Sequence, residues 1–102
     1  MRRQKARTID EILTRLRAEM PRLRKEYNVR SLSVFGSYVR GQQKKRSDVD
    51  VLVEYEKTPD LLELVNLQYH LGDILGVKVD LIPRRALKGE IGERILREQV
   101  PV

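Results

Sequence analysis

The sequence predicts an α+β protein of mixed α/β character: a small mixed β-sheet with helices packed on one side. Three observations predict it. Apolar residues recur at helical spacing near both ends and in the middle of the chain. Between those stretches lie short runs that alternate apolar and polar residues, the pattern of strands with one buried face. Cap and turn residues separate the runs in the order α-β-β-α-β-α, an α-β-β start followed by a βαβ unit.

Residues 1–7 are polar and basic and are expected to be flexible. Thr8 opens the first helix, with Glu11 at capping-box spacing. Ile9, Ile12, Leu13, Leu16 and Met20 form its apolar stripe. Pro21 cannot continue it unbent, so a kink is expected there, or a break into a second helix carrying Leu23 and Tyr27. Ser31 to Phe35 is the first strand, ended by Gly36-Ser37, and a polar loop runs from Gln42 to Arg46. Val49 to Tyr55 is the second strand. Asp60, with Glu63 three residues on, caps a helix carrying Leu61, Leu64, Val65, Leu71 and Leu75 and stopping near Gly76. Val77 to Ile82 is the third strand, ended by Pro83. The last helix runs from Lys88 or Glu90 to Gln99, with Ile91, Ile95 and Leu96 as its buried side. Val100-Pro101-Val102 reads as an apolar tail, free or docked on a partner.

A chain of 102 residues is expected to form a single domain over 1–102 with one modest core. With no cysteine, disulfides, thiolate metal sites and cysteine nucleophiles are excluded. The lone histidine, His70, excludes a His-rich metal site and reads as a surface or rim residue. No apolar run approaches the ~18 residues of a membrane span, so the expectation is a cytoplasmic protein with no membrane partner. The net charge is +6, unevenly spread: residues 1–46 hold 14 Lys and Arg against four acids, residues 47–102 seven against 11. A basic half suits an anionic partner, although an Arg-rich helix surface is commonly just solvated.

The chemistry concentrates in Phe35-Gly36-Ser37-Tyr38-Val39-Arg40-Gly41 and in Asp48-Val49-Asp50-Val51-Leu52-Val53. Strand side chains alternate faces, so Asp48 and Asp50 point one way and the valines the other, with Cα atoms about 6.5–7 Å apart. Two carboxylates so placed repel unless they share a divalent, oxygen-seeking cation. Asp80 sits between Val79 and Leu81 in the third strand, and joins the same cluster if that strand lies beside the second. Buried unpaired charge is costly; one Mg²⁺ site would explain all three acids. A strand ending in glycine and entering a short helix presents backbone N–H groups that suit a phosphate, and the Ser37 hydroxyl adds a donor. Gly36 lets a phosphate approach closely, and Arg40 can reach one of its oxygens or brace the loop. Phosphate cradle plus acid-bound metal is equipment for moving a phosphoryl or nucleotidyl group.

Gly36-Ser37, ten residues, then Asp48-x-Asp50 resembles the signature of the DNA polymerase beta-like nucleotidyltransferases. The fuller string is similar to their shortest branch, the minimal nucleotidyltransferases of prokaryotes. The likeness also takes in Glu26-Tyr27-Asn28-Val29, Val79-Asp80-Leu81 and Ile95-Leu96-Arg97-Glu98. Val39 departs from the small residue, alanine, more often found there.

The resemblance implies a minimal polymerase-beta-like fold. It implies that Gly36 and Ser37 grip the triphosphate of ATP with Arg40 in support. It implies that Asp48, Asp50 and Asp80 are catalytic and bind two Mg²⁺ ions, with Asp80 also activating the acceptor hydroxyl. It further implies an antitoxin, paired with a HEPN-domain ribonuclease toxin, that transfers AMP from ATP to a tyrosine of the toxin. A chain this short leaves no room for an acceptor domain, so the acceptor is expected on a partner, and nucleic acid is not expected to be the direct target. Other readings stay open: an antitoxin that only masks its toxin, transfer to a small molecule or an RNA end, or a basic nucleic-acid-binding module. Singly, Asp48 and Asp50 could be edge-strand acids, Asp80 an exposed strand residue, Ser37 an N-cap and Arg40 the partner of a loop acid. Tyr38 could stack on a base or simply be exposed.

Overall fold

The computed structural model describes residues 3–102. The Thr8 hydroxyl caps α1 (Ile9–Tyr27), accepting the Glu11 N–H at 3.2 Å. The Glu11 carboxylate takes the Arg7 N–H at 2.9 Å, one residue before the usual reciprocal bond of a capping box. Ile12, Leu13, Leu16, Met20 and Leu23 form the buried stripe. The division expected at Pro21 does not occur, for α1 is one helix of 19 residues with Pro21 inside it. Pro21 faces solvent, and buried stripe residues lie on both sides of it, so packing outweighs a cost of about 3 kcal/mol for proline in a helix. Asn28, left-handed at φ 57°, ends the helix and donates its N–H to the Leu23 carbonyl.

There follow β1 (Val29–Phe35), β2 (Val49–Tyr55), α2 (Leu61–Leu75), β3 (Val79–Pro83), a 3-10 turn at Arg84–Ala86, α3 (Gly89–Glu98) and β4 (Val100–Pro101). The sheet has the order β3-β2-β1-β4, with β2 and β3 parallel and the other pairs antiparallel. It is the mixed sheet that the alternation predicts. The core lies between one sheet face, bearing Leu32, Val34, Val49, Val51, Val53 and Val79, and the apolar stripes of α1 and α2.

The stripe expected of α2 is borne out in part: Leu71 and Leu75 are buried and Leu64 packs against the core, but Leu61 and Val65 do not. Asp60 and Glu63 form the capping box, Gly76 closes the helix, and the buried residues are Leu67, Leu71, Gly72, Ile74 and Leu75. Leu61 is 76% exposed and Val65 is exposed as well, because they lie with Tyr69 at four-residue spacing on the outer face of α2. The expected buried side of α3 is met only in part. Ile91 is 75% exposed, Ile95 and Leu96 are half-buried, and only Gly92 is buried, closing against Leu87. That helix lies outside the core.

Both ends of the described chain are tied down. Val34 pairs with Val100 and Ser33 with Pro101, and the Val102 N–H reaches the Leu32 carbonyl at 3.0 Å. The tail is therefore a fourth strand at the sheet edge, where proline is tolerated. Of the start expected to be flexible, residues 1 and 2 lie outside the described residues, and the rest is held. The Arg3 N–H bonds the Asp73 carbonyl and the Ala6 N–H the Leu75 carbonyl, with Ala6 fully buried. This strap crosses Gly76 so closely that a Cβ there would overlap the Arg3 carbonyl. Among the described residues no helix is long and apolar enough to cross a membrane.

Candidate active site

Alternation along β2 sends Val49, Val51 and Val53 into the core and Asp50, Leu52 and Glu54 to the other face. Parallel pairing sets Asp50 directly beside Asp80 of β3, and adjacent strands lie about 4.8 Å apart. Asp50 is half-buried and Asp80 exposed. Asp48 stands in the loop just before β2, not on the strand itself. The three nonetheless share one electrostatic field. Burial above all, then the negative charges of Asp80 and Asp48, push the Asp50 carboxyl up to about 6; Arg40 opposes the shift and Glu98 adds to it.

The glycine–serine turn is built differently from the expectation. Gly36 is buried at φ 83°, and a Cβ on it would collide with the Asp50 carboxylate. Its missing side chain thus makes room for Asp50 from the neighbouring strand, rather than for a ligand. No helix follows. The Val39 and Arg40 N–H groups both bond the Gly36 carbonyl, at 3.1 and 3.2 Å, and the Gln42 N–H bonds the Ser37 carbonyl at 2.9 Å, giving a tight turn over Ser37–Gly41. The Gly36 N–H is taken by Glu98 Oε1 at 2.7 Å. Among the described residues, the N–H groups of Ser37 and Tyr38 and the Ser37 hydroxyl have no intramolecular partner. These are the donors left for an anion.

Arg40 Nη1 also meets Glu98 Oε1, at 2.7 Å, and Arg40 Nε meets Gln42 Oε1 at 3.1 Å. Its acidic partner comes from the end of α3, not from the loop. Sequence reasoning took in Glu98 only as part of the family likeness and missed its place at this site, since no local spacing links residues this far apart. Tyr38 is neither exposed nor free to stack: it is 1% exposed, packed in the core, with its hydroxyl 3.5 Å from the Ser47 carbonyl. Burial and then the nearby Asp48 raise its hydroxyl pKa. Ser47 in turn accepts the Lys44 N–H at 2.8 Å, bracing the loop that delivers Asp48. A cavity of about 580 Å³ joins that loop to the N-terminal strap, lined by Lys5, Arg7, Lys44 and Lys45 with Tyr38 and Gln43.

Asp48, Asp50 and Asp80 offer only hard carboxylate oxygens, and burial first, then the charges of Asp80 and Asp48, disfavour a bare Asp50 carboxylate. That chemistry fits Mg²⁺. Among the described residues, no three carboxylate or imidazole groups converge on one coordination point as the side chains stand.

Comparison with known proteins gives a consistent picture. The model of the nucleotidyltransferase domain family matches residues 13–100. A protein adenylyltransferase, MntA, of Thermococcus cleftensis is 45% identical over 95 residues, covering 93% of this chain and 96% of its own. A solved structure described as a minimal nucleotidyltransferase superposes with a TM-score of 0.80 at 31% identity, covering 97% of this chain and 100% of the other. A complex of a tri-AMPylated HEPN toxin with its MNT antitoxin, from Shewanella oneidensis, gives a TM-score of 0.57 at 22% identity, over 90% of this chain and 66% of the other. At that identity the likeness is one of fold.

Proposed function

The chain belongs to the nucleotidyltransferase domain family, and from that premise we propose that it is a Mg²⁺-dependent protein adenylyltransferase and antitoxin. It transfers AMP from ATP to a tyrosine hydroxyl of a HEPN-domain toxin. The observation that carries this reading is the meeting of Asp50 and Asp80 in register beside a turn whose next donors, at Ser37 and Tyr38, are unpaired. The adenylyltransferase name of the Thermococcus relative supports ATP and a protein acceptor. The AMPylated toxin of the Shewanella complex supports the class of partner.

In this reading Asp48, Asp50 and Asp80 hold the metal. Bound Mg²⁺ supplies charge neutralisation for the acids and the triphosphate and makes an acceptor hydroxyl more acidic. The Ser37 and Tyr38 N–H groups and the Ser37 hydroxyl donate to phosphate oxygens. Arg40 adds a guanidinium to the same anion. Asp50, under Gly36, is too enclosed to meet a bulky acceptor, whereas Asp80 is exposed on the edge strand. Asp80 takes the proton of the acceptor hydroxyl as its oxygen bonds the α-phosphorus. The bond to the bridging oxygen breaks, and pyrophosphate leaves with the electron pair.

The test weighs the acceptor. The purified chain is mixed with ATP, Mg²⁺ and the protein encoded beside it, and the partner's mass is recorded. A gain of one or more AMP units, lost with Asp48→Asn/Asp50→Asn, is expected. An unchanged mass with full neutralisation of toxicity would replace transfer by masking.

A further inference from the structure

Two donors of the turn converge on one carboxylate oxygen. Glu98 Oε1 accepts the Gly36 N–H and Arg40 Nη1, each at 2.7 Å. A backbone N–H and a guanidinium aimed at a single anionic oxygen are the elements of an anion subsite. The Glu98 side chain is only 16% exposed, so it is seated in this subsite and does not merely lie across it. Its negative charge is brought to bear on Asp50, which already faces Asp48 and Asp80. Apolar packing explains little of that placement, for Gly92 is the one fully buried residue of α3 and Ile95 and Leu96 are only half-buried. The main chain around Glu98 is fixed independently. Gln99 holds the Ser33 hydroxyl at 2.6 Å and the Leu96 carbonyl at 3.2 Å, and β4 is paired to β1. The side chain can therefore swing out while the backbone stays anchored.

We infer that the Gly36 N–H and Arg40 form a subsite for a phosphate of the nucleotide, and that Glu98 fills it in the free chain as an internal competitor that the nucleotide displaces. This inference rests on the nucleotide reading above and adds to it a residue that restrains binding. A site open in only a fraction of molecules binds with an affinity reduced by that fraction.

The experiment is a titration of ATP with Mg²⁺, and separately of inorganic tripolyphosphate, into the intact chain and into Glu98→Gln, with the melting temperature of each free protein recorded. The glutamine keeps the size and loses the charge. Binding by Glu98→Gln is expected to tighten about threefold to tenfold, the range of one ordinary hydrogen bond, since the glutamine amide oxygen still competes in part. The melting temperature of the free variant is expected to fall, because Gly36 and Arg40 lose their charged acceptor. A brace with no competing role would lower both stability and affinity. Weaker or unchanged binding by a folded Glu98→Gln overturns the inference while leaving the nucleotide reading intact if the parent chain binds. Absence of binding by both proteins overturns both. On an Arg40→Gln background the gain is expected to shrink, since only the Gly36 N–H of the subsite remains; an undiminished gain there reflects general charge removal and also overturns the subsite. Should Glu98→Gln fail to fold, Glu98→Asp keeps the charge but is one methylene too short for the two bonds, and tighter binding is expected of it too.

Discussion

On β2, Val49, Val51 and Val53 are sealed beneath α1 and α2, while Asp50 and Glu54, one residue away in each case, lie on the opposite face. The same division runs through β3, where Val79 is buried and Asp80 exposed. One sheet thus has a dry face that supplies stability and a mixed face, where the acids stand beside the buried Leu52 and Phe35, that supplies the candidate chemistry. The two-residue period of a strand couples them rigidly, since a register slip of one residue would put Asp50 among the valines. Below that scale they are separable, and substitutions on the two faces are expected to fail in different ways.

The largest contrast is expected from Asp50→Asn. Loss of a carboxylate from the mixed face removes several kcal/mol of the stabilisation of developing charge, or about a thousandfold in AMP transfer. The same change relieves the repulsion of Asp50 by Asp80 and Asp48. The melting temperature, measured in the presence of a chelator, is therefore expected to rise. A variant that is both inactive and less stable would show that Asp50 supports the fold and would break the contrast.

Leu16→Ala probes the dry face. Leu16 is fully buried in the middle of the α1 stripe, and truncating such a leucine costs roughly 2–5 kcal/mol through lost transfer energy and a residual cavity. Denaturant unfolding is expected to show that loss, with transfer activity per folded molecule unchanged.

Gly36→Ala sharpens the comparison at the one point where the faces meet. Its positive φ alone costs an alanine about 1–2 kcal/mol, and the added Cβ would have to push the Asp50 carboxylate aside. A moderate loss of stability together with loss of activity is expected, in contrast to the two separable variants. Full activity in Gly36→Ala would mean that the Asp50 position is not critical.

What was legible in the sequence follows the same division. The period of two exposed Asp50 and Asp80 as exceptions in apolar strands, and the caps at Thr8 and Asp60 depend on residues three apart. Local rules reach that far. They do not reach Glu98 at Gly36, the strap over Gly76 or the burial of Tyr38, which depend on segments brought together only by the folded chain. Pro21 shows the converse, with a strong local signal overridden by a stripe packed on both sides of it. For α3 the apolar pattern was met only in part: Ile95 and Leu96 are half-buried. Ile91 remains in solvent.

The smallest expected effect is a pH dependence confined to the helical layer. His70, on α2, is not a free rim residue: its ring stacks on Tyr27 of α1 with centroids 5.0 Å apart and planes 12° apart. Its Nε2 is buried without a hydrogen-bond partner. Burial, then the positive charge of Arg22, lower its pKa, against the opposing pull of Glu19, Asp73 and Glu26. The folded state therefore holds the neutral ring and the unfolded state takes up a proton first. Stability from this group is complete above the ordinary value of 6.5. It declines as pH falls through that value, and levels off below the lower pKa of the folded form. His70→Phe keeps an aromatic ring on Tyr27 and binds no proton. Between about pH 8 and pH 6.5 the difference in denaturant midpoint between parent and variant is expected to be constant, and towards about pH 5 it should move in favour of the variant. A difference that stays constant over the whole range would show that the ring carries no burial cost. A shift that depends on added ATP would show that the helical layer and the mixed face are coupled after all.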